Sequence, residues 1–135
     1  MTYLLDTNVV SEARRLNGSP QVKSWVRSTP ASTCFLSVLT IGEIRRGVEL
    51  LRRHDPMQAE SHDRWLSQLS DEYADRLLPV TPRIAEEWGL LNAPNPLPAV
   101  DSLIAATALV HGLILVTRNV ADVRATGVQV VNPFT

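Results

Sequence analysis

Short apolar runs alternating with helix-patterned segments predict an α/β fold, a parallel sheet covered by helices on both faces. Two observations carry this prediction. The runs Thr2–Leu5, Thr33–Leu36, Leu77–Val80, Leu113–Thr117 and Val128–Val131 are only four or five residues long and rich in aliphatic or β-branched residues. Between them lie segments with apolar residues at helical spacing, bracketed by capping residues, prolines and glycines. In such sheets ligands bind beyond the carboxyl ends of the strands. The residues that follow each run are therefore where chemistry is expected.

In chain order, Thr2–Leu5 is the first strand. Asn8 is placed to cap a helix through about Arg14, and Asn17-Gly18 breaks it. Ser19-Pro20 opens a second helix with Val22, Trp25 and Val26 on one face. After the Thr33–Leu36 strand, Ser37 or Thr40 starts a helix whose apolar stripe is Val38, Ile41, Ile44, Val48 and Leu51. His54-Asp55-Pro56 ends it. Met57–Tyr73 forms a longer helix with Trp65, Leu66, Leu69 and Tyr73 as its stripe. Leu77–Val80 is a short strand, and Pro82 begins a helix carrying Ile84, Ala85, Trp88 and Leu91. Asn92–Pro98, with three prolines, is a loop. Ala99 to about His111 is a strongly apolar, central helix, stopped by Gly112 where a left-handed cap is wanted. The Leu113–Thr117 strand, a helical turn around Asp122 and the Val128–Val131 strand complete the chain. No repeat or composition shift marks a boundary, so residues 1–135 read as a single domain.

Composition narrows the function. Hydrophobic residues make up 44 %, which suits a packed core rather than disorder. The net charge of −1 argues against broad nucleic-acid binding through a basic surface, although bound metal ions can supply positive charge locally. Cys34 is the only cysteine, which rules out an intrachain disulfide. His54, His62 and His111 share no ligand spacing, so no structural zinc site is expected. The start has no basic segment and its apolar run ends at Asp6; no signal peptide or membrane span is expected, and the protein reads as cytoplasmic. There is no Gly-rich loop with lysine, and no serine in a nucleophile-elbow pattern. A phospho-accepting receiver domain fits poorly, because Thr7 follows Asp6 and Lys23 is the sole lysine.

Four carboxylates stand at the edges of apolar segments: Asp6, Glu43, Asp101 and Asp122. Each has a plain structural explanation. Asp6 makes an Asx-type turn into a helix. Thr40-Ile41-Gly42-Glu43 fits a capping box. Asp101 sits in a first helical turn, where the macrodipole favours negative charge. Asp122 is a cap or a surface residue. Yet Glu43 precedes Ile44, and Asp101 lies among Val100, Leu103 and Ile104. Carboxylates so enclosed are costly unless paired or coordinated. Gathered together they repel until a cation neutralises them, and oxygen donors of this kind select Mg²⁺ or Mn²⁺. That is the constellation of a metal-dependent phosphodiester-cleaving site.

Four blocks, in order and spacing, carry a family likeness. They are Tyr3-Leu4-Leu5-Asp6-Thr7-Asn8-Val9-Val10-Ser11-Glu12, Leu36-Ser37-Val38-Leu39-Thr40-Ile41-Gly42-Glu43-Ile44, Asp101-Ser102-Leu103-Ile104-Ala105-Ala106-Thr107-Ala108 and Val116-Thr117-Arg118-Asn119-Val120-Ala121-Asp122-Val123. The chain resembles the PIN-domain ribonucleases, and among them the VapC toxins of type II toxin–antitoxin modules, in particular the FitB-like branch. The resemblance implies a three-layer α/β/α sandwich with a central parallel sheet and an Mg²⁺- or Mn²⁺-dependent endoribonuclease. It implies a homodimer, an RNA substrate, a small VapB-like antitoxin and contact with DNA only through that antitoxin. Asp6, Glu43 and Asp101 match the family's first three acidic positions. For the fourth, some relatives carry aspartate where this chain has Asn119, and others carry it three residues later, where this chain has Asp122. Val123 replaces the phenylalanine that often follows the second pattern. Asp122 is taken as the fourth acidic position; Asn119 is implied as a neutral ligand or substrate contact, Arg118 as a contact to RNA phosphate, and Thr7 and Thr117 as hydroxyl contacts to a carboxylate, water or phosphate. A competing reading is a PIN-fold binding or regulatory module without activity.

Overall fold

The computed structural model describes residues 1–135. Five strands form one all-parallel sheet: β1 (Tyr3–Leu5), β2 (Cys34–Ser37), β3 (Leu77–Leu78), β4 (Ile114–Val116) and β5 (Val130–Val131). Their spatial order is β3-β2-β1-β4-β5, which places β1 at the centre. Its register pairs Tyr3 with both Cys34 and Ile114. The chain winds one way through β2 and β3 and the other way through β4 and β5, so the topological switch lies between β1 and β4. A crevice opens at the carboxyl edge of such a switch.

Seven helices cover the sheet: α1 (Thr7–Arg14), α2 (Pro20–Ser28), α3 (Val38–Arg52), α4 (Pro56–Glu72), α5 (Pro82–Asn92), α6 (Ala99–His111) and α7 (Val120–Val123). Alternation along the strands divides the core. Leu5, Leu36 and Val116 point to one face and pack with Val9, Val22, Ile44, Val48, Leu66 and Leu69 from α1 to α4. Leu4 and Leu115 point to the other and pack with Ile104, Ala105 and Ala108 of α6 and Val123 of α7. The result is the three-layer sandwich expected. The largest apolar helix, α6, has six buried residues and ends at Gly112, whose φ of 65° takes the left-handed conformation that stops the helix. No helix is long and apolar enough to cross a membrane.

Local chemistry explains the element starts. Ser19, Asp55 and Thr81 each accept a backbone N–H at the front of α2, α4 and α5, with proline in the first turn of each. One start differs from the sequence reading, and another is decided between its two candidates. Asp6, not Asn8, is the N-cap of α1, because its carboxylate accepts the Thr7 N–H. Ser37 ends β2 and caps α3 at Leu39 N–H, one turn ahead of Thr40. The tryptophans pack as expected of helix stripes: Trp25 sits edge-on to Tyr3 at 5.1 Å, and the Trp88 indole N–H donates to Ser102 Oγ at 3.0 Å.

Candidate active site

Asp6 is the first residue beyond β1, and Thr117 the first beyond β4. The Asp6 N–H bonds to Val116 O at 2.9 Å, which ties the two strand ends together. Asp6 is only 5 % exposed, and its two carboxylate oxygens do different work. Oδ1 accepts the Thr7 N–H at 2.7 Å and so starts the helix. Oδ2 accepts the Thr117 hydroxyl at 2.7 Å and the Asn8 side-chain amide at 3.1 Å. The turn explanation holds, and it leaves the second oxygen to Thr117 and Asn8. Burial pushes the Asp6 carboxyl up, and the bonds from Thr117, Thr7 and Asn8 pull against that rise.

Because α3 begins at Val38, Glu43 is in its second turn and cannot form a capping box with Thr40. Its Oε1 instead accepts the Thr7 hydroxyl at 2.5 Å. The Thr7 and Thr40 hydroxyls lie 3.0 Å apart, and Thr40 is fully buried. Thr7 therefore links the helix that carries Asp6 as its cap to the helix that carries Glu43.

Asp101 occupies the first turn of α6, half-buried. Burial pushes its carboxyl up, and the charges of Asp6, Glu43 and Asp122 add to the rise, to about 6. The fold has therefore brought Asp6, Glu43 and Asp122 within electrostatic reach of Asp101. Asp122 is exposed in the first turn of α7. Asn119 precedes α7; its side chain caps nothing, and its N–H is held by Thr117 Oγ1 at 3.0 Å. Arg118 is exposed, with its N–H on Asn8 Oδ1 at 3.3 Å. No group of three or more acidic, histidine or cysteine side chains is closed around a common point. Asp101 feels the charges of Asp6, Glu43 and Asp122, and no cation is among the groups acting on it. Such a donor set suits a hard divalent ion and not zinc, which favours nitrogen and sulfur.

Thr7, Asn8 and Glu43 open into a cleft of about 1270 Å³ that follows α1 and α3 as far as Trp65 of α4. Two residues in this neighbourhood were not read from the sequence as part of a site. Asn8, taken as a helix cap, bridges Asp6 to the β4 end; Thr40, taken as the first residue of a capping box, stands behind Thr7. Asn8 follows Asp6 so closely that a shared role was there to be read, but its bond partner lies 110 residues away.

Comparison with known proteins places this geometry. The family model described as "PIN domain" matches residues 3–125. The chain belongs to the PIN-domain family. Toxin FitB of Neisseria gonorrhoeae is 32 % identical, over 97 % of this PIN domain and 97 % of its own length. Plasmid stability protein StbB of Pseudomonas syringae pv. tomato is 30 % identical with the same coverage. The crystal structure of FitAcB from Neisseria gonorrhoeae superposes with a TM-score of 0.90 at 32 % identity, over 98 % of this chain and 99 % of that one. A further structure, FitAB bound to an IR36 DNA fragment, gives a TM-score of 0.89 at 31 % identity, over 99 % and 96 % of the two chains. PIN-domain ribonucleases depend on divalent metal, and the oxygen-only donor set of this PIN domain fits that requirement.

Proposed function

We propose that the protein is the toxin of a type II toxin–antitoxin module, an endoribonuclease that uses Mg²⁺ or Mn²⁺ and is restrained by a small VapB-like antitoxin. The observation that carries the reading is the gathering of four carboxylates at the switch point of the sheet, where burial and the charges of Asp6, Glu43 and Asp122 together push the Asp101 carboxyl up. Full-length likeness to a FitB toxin supports the biological role, and the FitAB and FitAcB structures support an antitoxin partner. On this reading the chain acts as a homodimer in the cytoplasm and meets DNA only through the antitoxin.

Asp6, Asp101 and Glu43 would hold the ion, and Asp122 would complete the acidic cluster around it. A bound divalent ion supplies charge that offsets the carboxylates and lowers the pKa of an attacking water. Thr117 and Asn8 fix the orientation of Asp6, and Thr7 fixes Glu43. Asn119 and Arg118 face the substrate. Water adds to phosphorus in line with the departing 3′ oxygen: one P–O bond forms, the other breaks, and the products are a 5′-phosphate and a 3′-hydroxyl.

The test is incubation of the purified, antitoxin-free protein with total cellular RNA and Mg²⁺ or Mn²⁺, beside EDTA and Asp101→Asn controls. Discrete fragments with 5′-phosphate ends, absent from both controls, are expected. Cleavage that survives Asp101→Asn, or 2′,3′-cyclic phosphate ends, would refute the assignment. A protein that binds Mn²⁺ and RNA but never cleaves would favour a binding module.

A further inference from the structure

Arg118 follows directly on Thr117, at the carboxyl edge of the sheet beside the acidic cluster. Glu12 and Glu43 line the same cleft, yet Arg118 takes part in none of the ion pairs of the protein. Its guanidinium instead lies over the Phe134 ring, 4.0 Å from the centroid. A stack of this kind holds the plane of the guanidinium from one face and leaves its N–H edges free.

Phe134 is itself firmly placed. It packs against the core cluster that contains Leu36 and Val116, and its N–H donates to Asn132 Oδ1 at 3.0 Å. Pro133 beside it is buried, and the Thr135 hydroxyl closes the turn on Asn132 O at 3.1 Å. The Arg118 backbone is held as well, through Asn8, whose amide also bonds Asp6. Arg118 and Phe134 line the same cleft as Thr7 and Glu43.

An acidic site that takes a polyanion needs positive charge on the approach as well as at the metal, because the substrate arrives against four carboxylates. A guanidinium with free edges matches phosphate bidentately. We propose that Phe134 is a positioning residue: its stack fixes Arg118 as a clamp on an RNA phosphate neighbouring the scissile one. The C-terminal turn thereby becomes part of the substrate site. This inference rests on the ribonuclease reading.

The test measures binding of a fluorescein-labelled, single-stranded RNA 12-mer by anisotropy in Mg²⁺ at stepped NaCl concentrations, and cleavage of total RNA on gels in parallel. Arg118→Ala is expected to weaken binding about tenfold and to lower the slope of log K against log salt by about 0.7, the signature of one lost phosphate contact. Phe134→Leu, which keeps an apolar side chain against the core, is expected to weaken binding about threefold, and Phe134→Tyr to restore it. In the Arg118→Ala background, Phe134→Leu is expected to cost nothing further. Equal losses from Phe134→Leu in both backgrounds, or an unchanged salt slope in Arg118→Ala, would overturn the inference while leaving the ribonuclease reading intact. A wild-type protein that neither binds the 12-mer nor cleaves total RNA would overturn that reading itself.

Discussion

Replacing Asp101 by asparagine should make the metal-free protein more stable, and only above mildly acidic pH. The carboxyl of Asp101 rises from its usual 3.8 to about 6 in the folded state. A carboxylate whose folded pKa lies above its unfolded one binds more protons folded than unfolded between those values. Its charged form is therefore a penalty on folding, absent below pH 4 and complete above about pH 6. Taken at face value, at ~1.4 kcal/mol per pKa unit, the rise corresponds to ~3 kcal/mol. Asp101 is half-exposed, and solvent screening reduces this to roughly 1–1.5 kcal/mol. Asparagine is nearly isosteric and removes the charge. In EDTA at pH 7.5, Asp101→Asn should melt about 4–6 °C above the wild type, and the two should converge near pH 4. Added Mn²⁺ should reverse the order at pH 7.5, because the ion stabilises only the protein that binds it. Equal melting temperatures in EDTA at pH 7.5, or an advantage for the variant that persists at pH 4, would refute the argument that the four carboxylates repel one another.

Two further outcomes follow from specific bonds. Thr117→Val keeps the volume of a fully buried side chain but deletes the hydroxyl that donates to Asp6 Oδ2, a charge-assisted bond; it should cost about 2 kcal/mol by urea denaturation, whereas Thr117→Ser should cost under about 1 kcal/mol. Arg76 donates to Ala31 O and Cys34 O at the start of β2 and to Glu72 O at the end of α4, while stacking on Tyr73 at 4.5 Å; Arg76→Met should destabilise by about 2–3 kcal/mol, with little dependence on salt because three of these partners are carbonyls.

What the sequence revealed follows the range of the interactions involved. Strands and helices were legible because period, proline and glycine act over a few residues: Pro20, Pro56, Pro82 and Gly112 all sit at helix ends. The four carboxylates were legible because each stands at the edge of an apolar segment, although the enclosure expected of Glu43 is absent: it is exposed, as is Asp122. Boundaries slipped where one residue serves two elements, as Ser37 does in closing β2 and capping α3. The capping box at Thr40 failed for the same reason, since the true cap lies three residues earlier. Asn8, Thr40 and Phe134 were assigned no part in the site because each acts through a partner distant in the chain: Asn8 through Thr117 and Arg118, Thr40 through Thr7, and Phe134 through Arg118. No local pattern encodes those pairings.

The central position of β1 has a consequence in time. Asp6 is synthesised 111 residues ahead of the hydroxyl that orients it, and β1 lacks its second neighbour until β4 is made. At about 5–20 residues per second, roughly 5–20 seconds pass between the two. Over that interval the growing chain holds Asp6 without Thr117, and for most of it without Asp101 as well. If Asp6 and Asp101 hold the metal as proposed, a nascent chain lacking Thr117 cannot assemble the cleaving centre beside the ribosome and message that are making it. The Asp6–Thr117 bond forms only once β4 has emerged and paired with β1, when a restraining partner can also find that edge of the sheet assembled.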